Sequence, residues 1–124
     1  MRASMITLCL CLLCIGELTA QDSTCTKANT PLQLRQCLSA DLQQADSGLA
    51  ALLSRIGTQL GDSAAQALDE ATRSWKVYRR EECAALLRSF EGGLEGPVAQ
   101  LSCLVGLTND RLAHLKQVYS GWVR

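Results

Sequence analysis

From Leu34 onward, apolar residues recur in steps of three and four: Leu34, Leu38, Leu42, Ala45, Leu49, Leu52 and Ile56. That spacing puts them on one side of an α-helix. A start signal precedes them. Thr30 can cap, Pro31 suits the first helical position, and Gln33 completes a capping box. Gly57 and Gly61 bracket the end, the usual place for a left-handed turn residue. A second box, Ser63-Ala64-Ala65-Gln66, predicts another helix with the stripe Ala64, Leu68, Ala71, Trp75, Tyr78, Glu82 and Leu86. The stretch Phe90 to Gly96 reads as a loop, and Pro97 opens a third helix. Its stripe is Val98, Leu101, Leu104 or Val105, Thr108, Leu112, Leu115 and Tyr119. No segment alternates strictly like a half-buried strand, and Ala, Leu, Gln, Glu and Arg dominate. Three amphipathic helices cannot bury their stripes singly, so the expected fold is all-α, a small antiparallel three-helix bundle.

The first 20 residues belong to a different pattern, since 14 of them are apolar. Arg2 supplies a positive start, Met5 to Ile15 an apolar run, and Leu18-Thr19-Ala20 a cleavage site, the three parts of a secretory signal. The run is far shorter than the roughly 20 residues that cross a bilayer. Residues 1–20 are therefore expected to be removed, and 21–124 to form one domain with no stable membrane insertion. Lipid attachment does not fit, because neither Asp22-Ser23-Thr24 before Cys25 nor Cys11-Leu12-Leu13 before Cys14 has the required residues. The expected location is periplasmic or secreted.

Removing the signal changes the cysteine count. Of the 7 cysteines, Cys9, Cys11 and Cys14 leave, and Cys25, Cys37, Cys83 and Cys103 remain. Four cysteines in an oxidising compartment suggest two disulfides. A helical hairpin turning about Gly93 brings Cys83, ten residues before it, level with Cys103, ten after it. Cys25 then pairs with Cys37. Loops of these sizes are worth about 3 kcal/mol each in chain-entropy models. With no C-x-x-C pair and a single histidine, His114, no metal site or cofactor is expected. Charge adds an exclusion. Lys and Arg total 12 and Asp and Glu total 12, so the basic surplus that nucleic-acid binding needs is missing.

The same hairpin register sets Trp75 level with Arg111 and Tyr78 level with Thr108. Arg111 is placed to stack on the indole, and the Tyr78 hydroxyl to bond Thr108. Glu82, three residues after Arg79, is placed to pair with it. A carboxylate on an apolar seam invites a catalytic reading, but a glycosidase needs two carboxylates facing a cleft. His114 stands between Ala113 and Leu115 with no orienting group, so it reads as a surface residue. No enzyme activity is expected.

The string Trp75-Lys76-Val77-Tyr78-Arg79-Arg80-Glu81-Glu82-Cys83, continued by Gly92-Gly93, Pro97, Cys103, Thr108, Arg111 and Leu115, resembles the signature of LprI-type lysozyme inhibitors. Cys25 and Cys37, followed by Asp41, Ala45-Asp46 and Leu49, match that family's N-terminal half. The resemblance spans essentially the whole chain after the signal. Two positions depart from it: Arg80 stands where an acidic residue is common, and Leu94 where a small polar one is. The resemblance implies a small helical envelope protein, not an enzyme, that protects the cell wall by binding and occluding lysozyme. A non-inhibitory periplasmic protein-binding module is the alternative.

Blocking a cleft that holds two carboxylates calls for a protruding segment framed by apolar or aromatic surface. Two regions fit that need. One is the loop around Arg88, Glu91, Gly92, Gly93 and Glu95, whose acids also suit a basic partner. The other is the tail with Tyr119, Trp122 and Arg124. Trp75, Tyr78, Arg79, Glu82, Thr108 and Arg111 read mainly as scaffold.

Overall fold

A computed structural model describes residues 24–122, so residues 1–20, expected from the sequence to be a secretory signal, and their three cysteines lie outside the described residues. A short 3₁₀ turn, Thr24–Lys27, leads into α1 (Pro31–Gln59), α2 (Asp62–Arg88) and α3 (Glu95–Val118). The helices run up, down and up, as the short connections require. Among the described residues, no helix is long and apolar enough to cross a membrane.

Helix α1 begins as its sequence dictates. Thr30 is in extended conformation and its side chain accepts from the Gln33 N–H. The Gln33 side chain accepts in return from the Asn29 N–H, one residue before the expected partner. The end of α1 differs from expectation. Leu60 and Gly61 are both extended, and neither Gly57 nor Gly61 is left-handed. An extended two-residue link reverses the chain without a left-handed turn. The second capping box does not form: Gly61 is the cap residue of α2, with no side-chain cap bond. Gln66 donates to Glu70, one turn further on. Helix α3 starts two residues before Pro97, which fits inside the first turn because it has no N–H to satisfy there.

Leu38, Ala45, Leu49, Leu52 and Ile56 of the α1 stripe are buried. Leu49, Leu52 and Ile56 join Leu68 of α2 and Leu115 of α3 in the core cluster. Leu53, Leu60, Trp75, Leu112 and Tyr119 pack against it. These residues gather where α1 ends, α2 begins and α3 ends. The opposite end is held covalently. Cys25 bonds Cys37 and Cys83 bonds Cys103, with Cα–Cα distances of 5.5 and 5.6 Å. Gly96 is buried there, and the packing suits a glycine because a Cβ would come within 3.1 Å of Leu87 Cδ1 and 3.3 Å of Phe90 Cβ. Helix α3 is the central member, packed along both α1 and α2, which touch each other little.

Helix α2 is turned relative to the sequence expectation. Tyr78 is 52% exposed, and Ala64, Ala71, Glu82 and Leu86 are also exposed. Its inward side is instead Leu68, Thr72, Trp75, Arg79 and Cys83. The disulfide supplies the physical reason. Residues 82 and 83 are about 100° apart on a helix, so Cys83 facing α3 carries Glu82 away from it.

Leu115 is 2% exposed in the centre of the cluster, whereas Leu94 is 66% exposed. Leu115→Ala is therefore expected to lower unfolding free energy by about 2–5 kcal/mol, and Leu94→Ala by no more than about 0.5. Urea denaturation of the two variants checks the contrast.

Candidate functional site

Midway along the bundle, one guanidinium connects all three helices. Arg79 Nη1, on α2, donates to Asp46 Oδ1 on α1 and to Thr108 Oγ1 on α3, the latter at 2.6 Å. Thr108 is wholly buried, and its own hydroxyl donates to the Leu104 carbonyl at 2.7 Å. Its hydroxyl thus both gives and receives, which a buried hydroxyl needs. The Arg79 side chain is 15% exposed and that of Asp46 is 44% exposed. A charged hydrogen bond is worth about 1.5–3 kcal/mol, less on the Asp46 side because water screens it.

Trp75 is half-buried between two cations. The Arg79 guanidinium carbon lies 5.0 Å from the indole centroid and that of Arg111 5.9 Å. The Arg111 contact is the one the hairpin register places there. The Tyr78–Thr108 bond does not form, because Arg79 occupies the hydroxyl and Tyr78 faces solvent. Nor does Glu82 pair with Arg79. Glu82 is exposed, and Asp46 takes the cation. Arg80, the departure from the family pattern, pairs at the surface with neighbouring Glu81 at 3.0 Å. Asp46 is the partner that sequence reasoning missed. Its signal was present, since it follows Ala45 on the α1 stripe and is level with the middle of the bundle.

The two regions considered for partner contact lie at opposite ends. At the loop end, Glu91, Gly92 and Gly93 have φ of 45°, 93° and 97°. Three consecutive left-handed residues make a sharp turn, which the two glycines adopt without a Cβ penalty. Leu94 is 66% exposed beyond the turn, and Phe90 just before it is 36% exposed. Phe90, Leu94 and Val98 line a groove with Pro31 and Leu34, of about 380 Å³. Arg88, Glu91 and Glu95 are exposed around it. Trp122 is 54% exposed beyond the far end of α3. Its N–H bonds the Tyr119 carbonyl at 2.9 Å. The 24 residues of α3 separate the two regions by about 36 Å, at 1.5 Å per residue.

Cys25 and Cys37 with Asp41 form a group of potential metal ligands, but the two sulfurs are bonded to each other. Thiolate is the metal-binding form of cysteine, so oxidised sulfurs do not serve. Asp41 Oδ2 lies 3.2 Å from Cys25 Sγ. His114 is exposed on α3.

These features define a small three-helix protein, stapled twice, whose polar centre is built for cohesion and whose two ends each carry exposed apolar groups. The family described as "Lysozyme inhibitor LprI" matches residues 22–115, and the chain belongs to it. An uncharacterized protein of Rhizobium meliloti (strain 1021) is 32% identical over 95% of this chain and 96% of its own length. No solved structure matches at a significant level.

The Arg79 network carries more load than the Arg111 contact. Arg79→Ala would remove the links to Asp46 and Thr108 and the nearer cation on Trp75, at an expected cost of about 1.5–3 kcal/mol. Arg111→Ala loses one cation–π contact, about 0.5–2 kcal/mol. Thermal unfolding of both variants is expected to give the larger drop for Arg79→Ala.

Proposed function

We propose that the protein is an exported inhibitor that binds lysozyme and occludes its cleft through the loop end of the bundle. The observation that carries this reading is the tip at Glu91–Gly93. It projects Leu94 into solvent beside Phe90, on the groove that the two share with Pro31 and Leu34. Glu91 and Glu95 stand exposed around it, with no ion pair among the described residues. Apolar anchors framed by unpaired acids suit a cation-rich protein. The Cys83–Cys103 bridge and the close Gly96 packing hold the tip in place, so little ordering would be required on binding.

An interface of ordinary size covers about 800 Å² on each partner. One such footprint includes the loop and the first turn of α1 but does not extend to Trp122. The inhibitor therefore contacts its target through Arg88, Glu91, Gly92, Gly93, Leu94 and Glu95, and Trp122 lies outside. Family membership supports the lysozyme target. Two disulfides and the signal-like start support export to the periplasm or beyond. Catalysis is not assigned, because inhibition by occlusion needs only a filled cleft.

A turbidity assay of cell-wall lysis is expected to slow at micromolar protein in proportion to the amount added. Unslowed lysis would reject the reading, and a bound envelope protein other than lysozyme would then point to a non-inhibitory binding module. Replacing Leu94 with Asp and both Glu91 and Glu95 with Lys should weaken inhibition at least about tenfold, as loss of an anchor and its flanking charges does. The melting temperature should stay within a few degrees.

A further inference from the structure

A second groove lies between the first half of α2 and the last half of α3. Ala64, Ala67, Leu68 and Ala71 form one wall, with Arg111, His114, Leu115, Val118 and Tyr119 on the other, around about 350 Å³. Three of the α2 residues are alanines that leave the backbone open to close approach. Val118 is 56% exposed at one end. Tyr78, two turns beyond Ala71 on the same side of α2, is 52% exposed at the other.

The charge inside the groove has no ion-pair partner among the described residues. Ion pairs among the described residues use Arg79 with Asp46 and Arg80 with Glu81, leaving Arg111 without a carboxylate. Its Nε is buried and makes no hydrogen bond. The guanidinium is held against Trp75, so it is oriented before anything binds. An oriented cation on a partly apolar floor favours a carboxylate, and the small walls favour a helix that packs closely.

The geometry points to this groove as the docking site for an acidic amphipathic helix of a partner protein, which lays apolar side chains on Ala64, Ala67, Ala71 and Val118 and sets a carboxylate against Arg111. Such a helix would cover the side of α2 that the Cys83–Cys103 bridge turns outward. From Glu95 to Arg111 is about 24 Å along α3 at 1.5 Å per residue, so the site is separate from the loop end and independent of the lysozyme reading.

The test uses the folded, oxidised protein and a synthetic amphipathic peptide of about four helical turns. The peptide has leucines at helical spacing and one central Glu, and its counterparts carry Gln or Lys there. Amide resonances of Ala67, Ala71, His114 and Val118 are expected to shift with the Glu peptide. Substituting Gln in the peptide should weaken binding about tenfold, the scale of one charge-assisted contact, and Lys should abolish it. Arg111→Gln is expected to remove the preference for Glu over Gln. Ala67→Trp, at an exposed position, should block all the peptides while leaving the melting temperature unchanged. Equal affinity for the three peptides, or shifts confined to other surfaces, would overturn the proposal. So would unchanged binding to Ala67→Trp. Loop-end substitutions should leave these shifts intact even if lysozyme inhibition is absent.

Discussion

The guanidinium of Arg79 bonds Asp46 on α1 and Thr108 on α3 while lying against the indole of Trp75. Helix α2 depends on this group because it has little else to bury. Only Leu68 and Cys83 among its residues are fully inside, and α1 and α2 share little direct contact. A long cationic side chain bridges that distance in a way a short aliphatic one does not. The arrangement also sets rotation: with Arg79 directed inward, Tyr78 has to face water and Glu82 cannot reach the seam.

Cohesion is divided along the length of the molecule. Apolar burial concentrates at one end, where Ile56 and Leu115 are almost wholly inside. Covalent bonds hold the other end, where the helices begin and turn around Gly93. A small domain that cannot extend its core over the full helix length gains from that division, because disulfides constrain the unfolded chain instead of requiring more buried surface. The stapled end is thereby free to expose Leu94 and Phe90 without loss of structure. Where a larger core would have covered those groups, here they stay open to solvent.

Much of the fold was legible because α1 states its inward side at every turn. Each of Leu38, Ala45, Leu49, Leu52 and Ile56 is apolar and correctly spaced, and all are buried. The disulfide partners were legible for a related reason, since a hairpin about Gly93 permits only level cysteines to meet. Helix α2 was harder. Its true inward side includes Thr72, Arg79 and Cys83, and a search for apolar spacing selects Ala71, Tyr78 and Leu86 instead. Counting back from Cys83 in helical steps gives 79, 75, 72 and 68, a signal that the cysteine pairing already contained.

By itself, the sequence determined three helices, their order, the two disulfide pairings and the presence of a loop tip rich in glycine. These follow from local spacing, capping and chain reversal, which depend on residues near one another. Only the tertiary structure decided that Asp46 is the partner of Arg79, and that Arg111 stands in an open groove without a carboxylate partner among the described residues. Those outcomes depend on how far each helix rotates about its axis. That rotation is set by a covalent bond and a shared guanidinium acting between elements distant in the chain, and no local pattern records it.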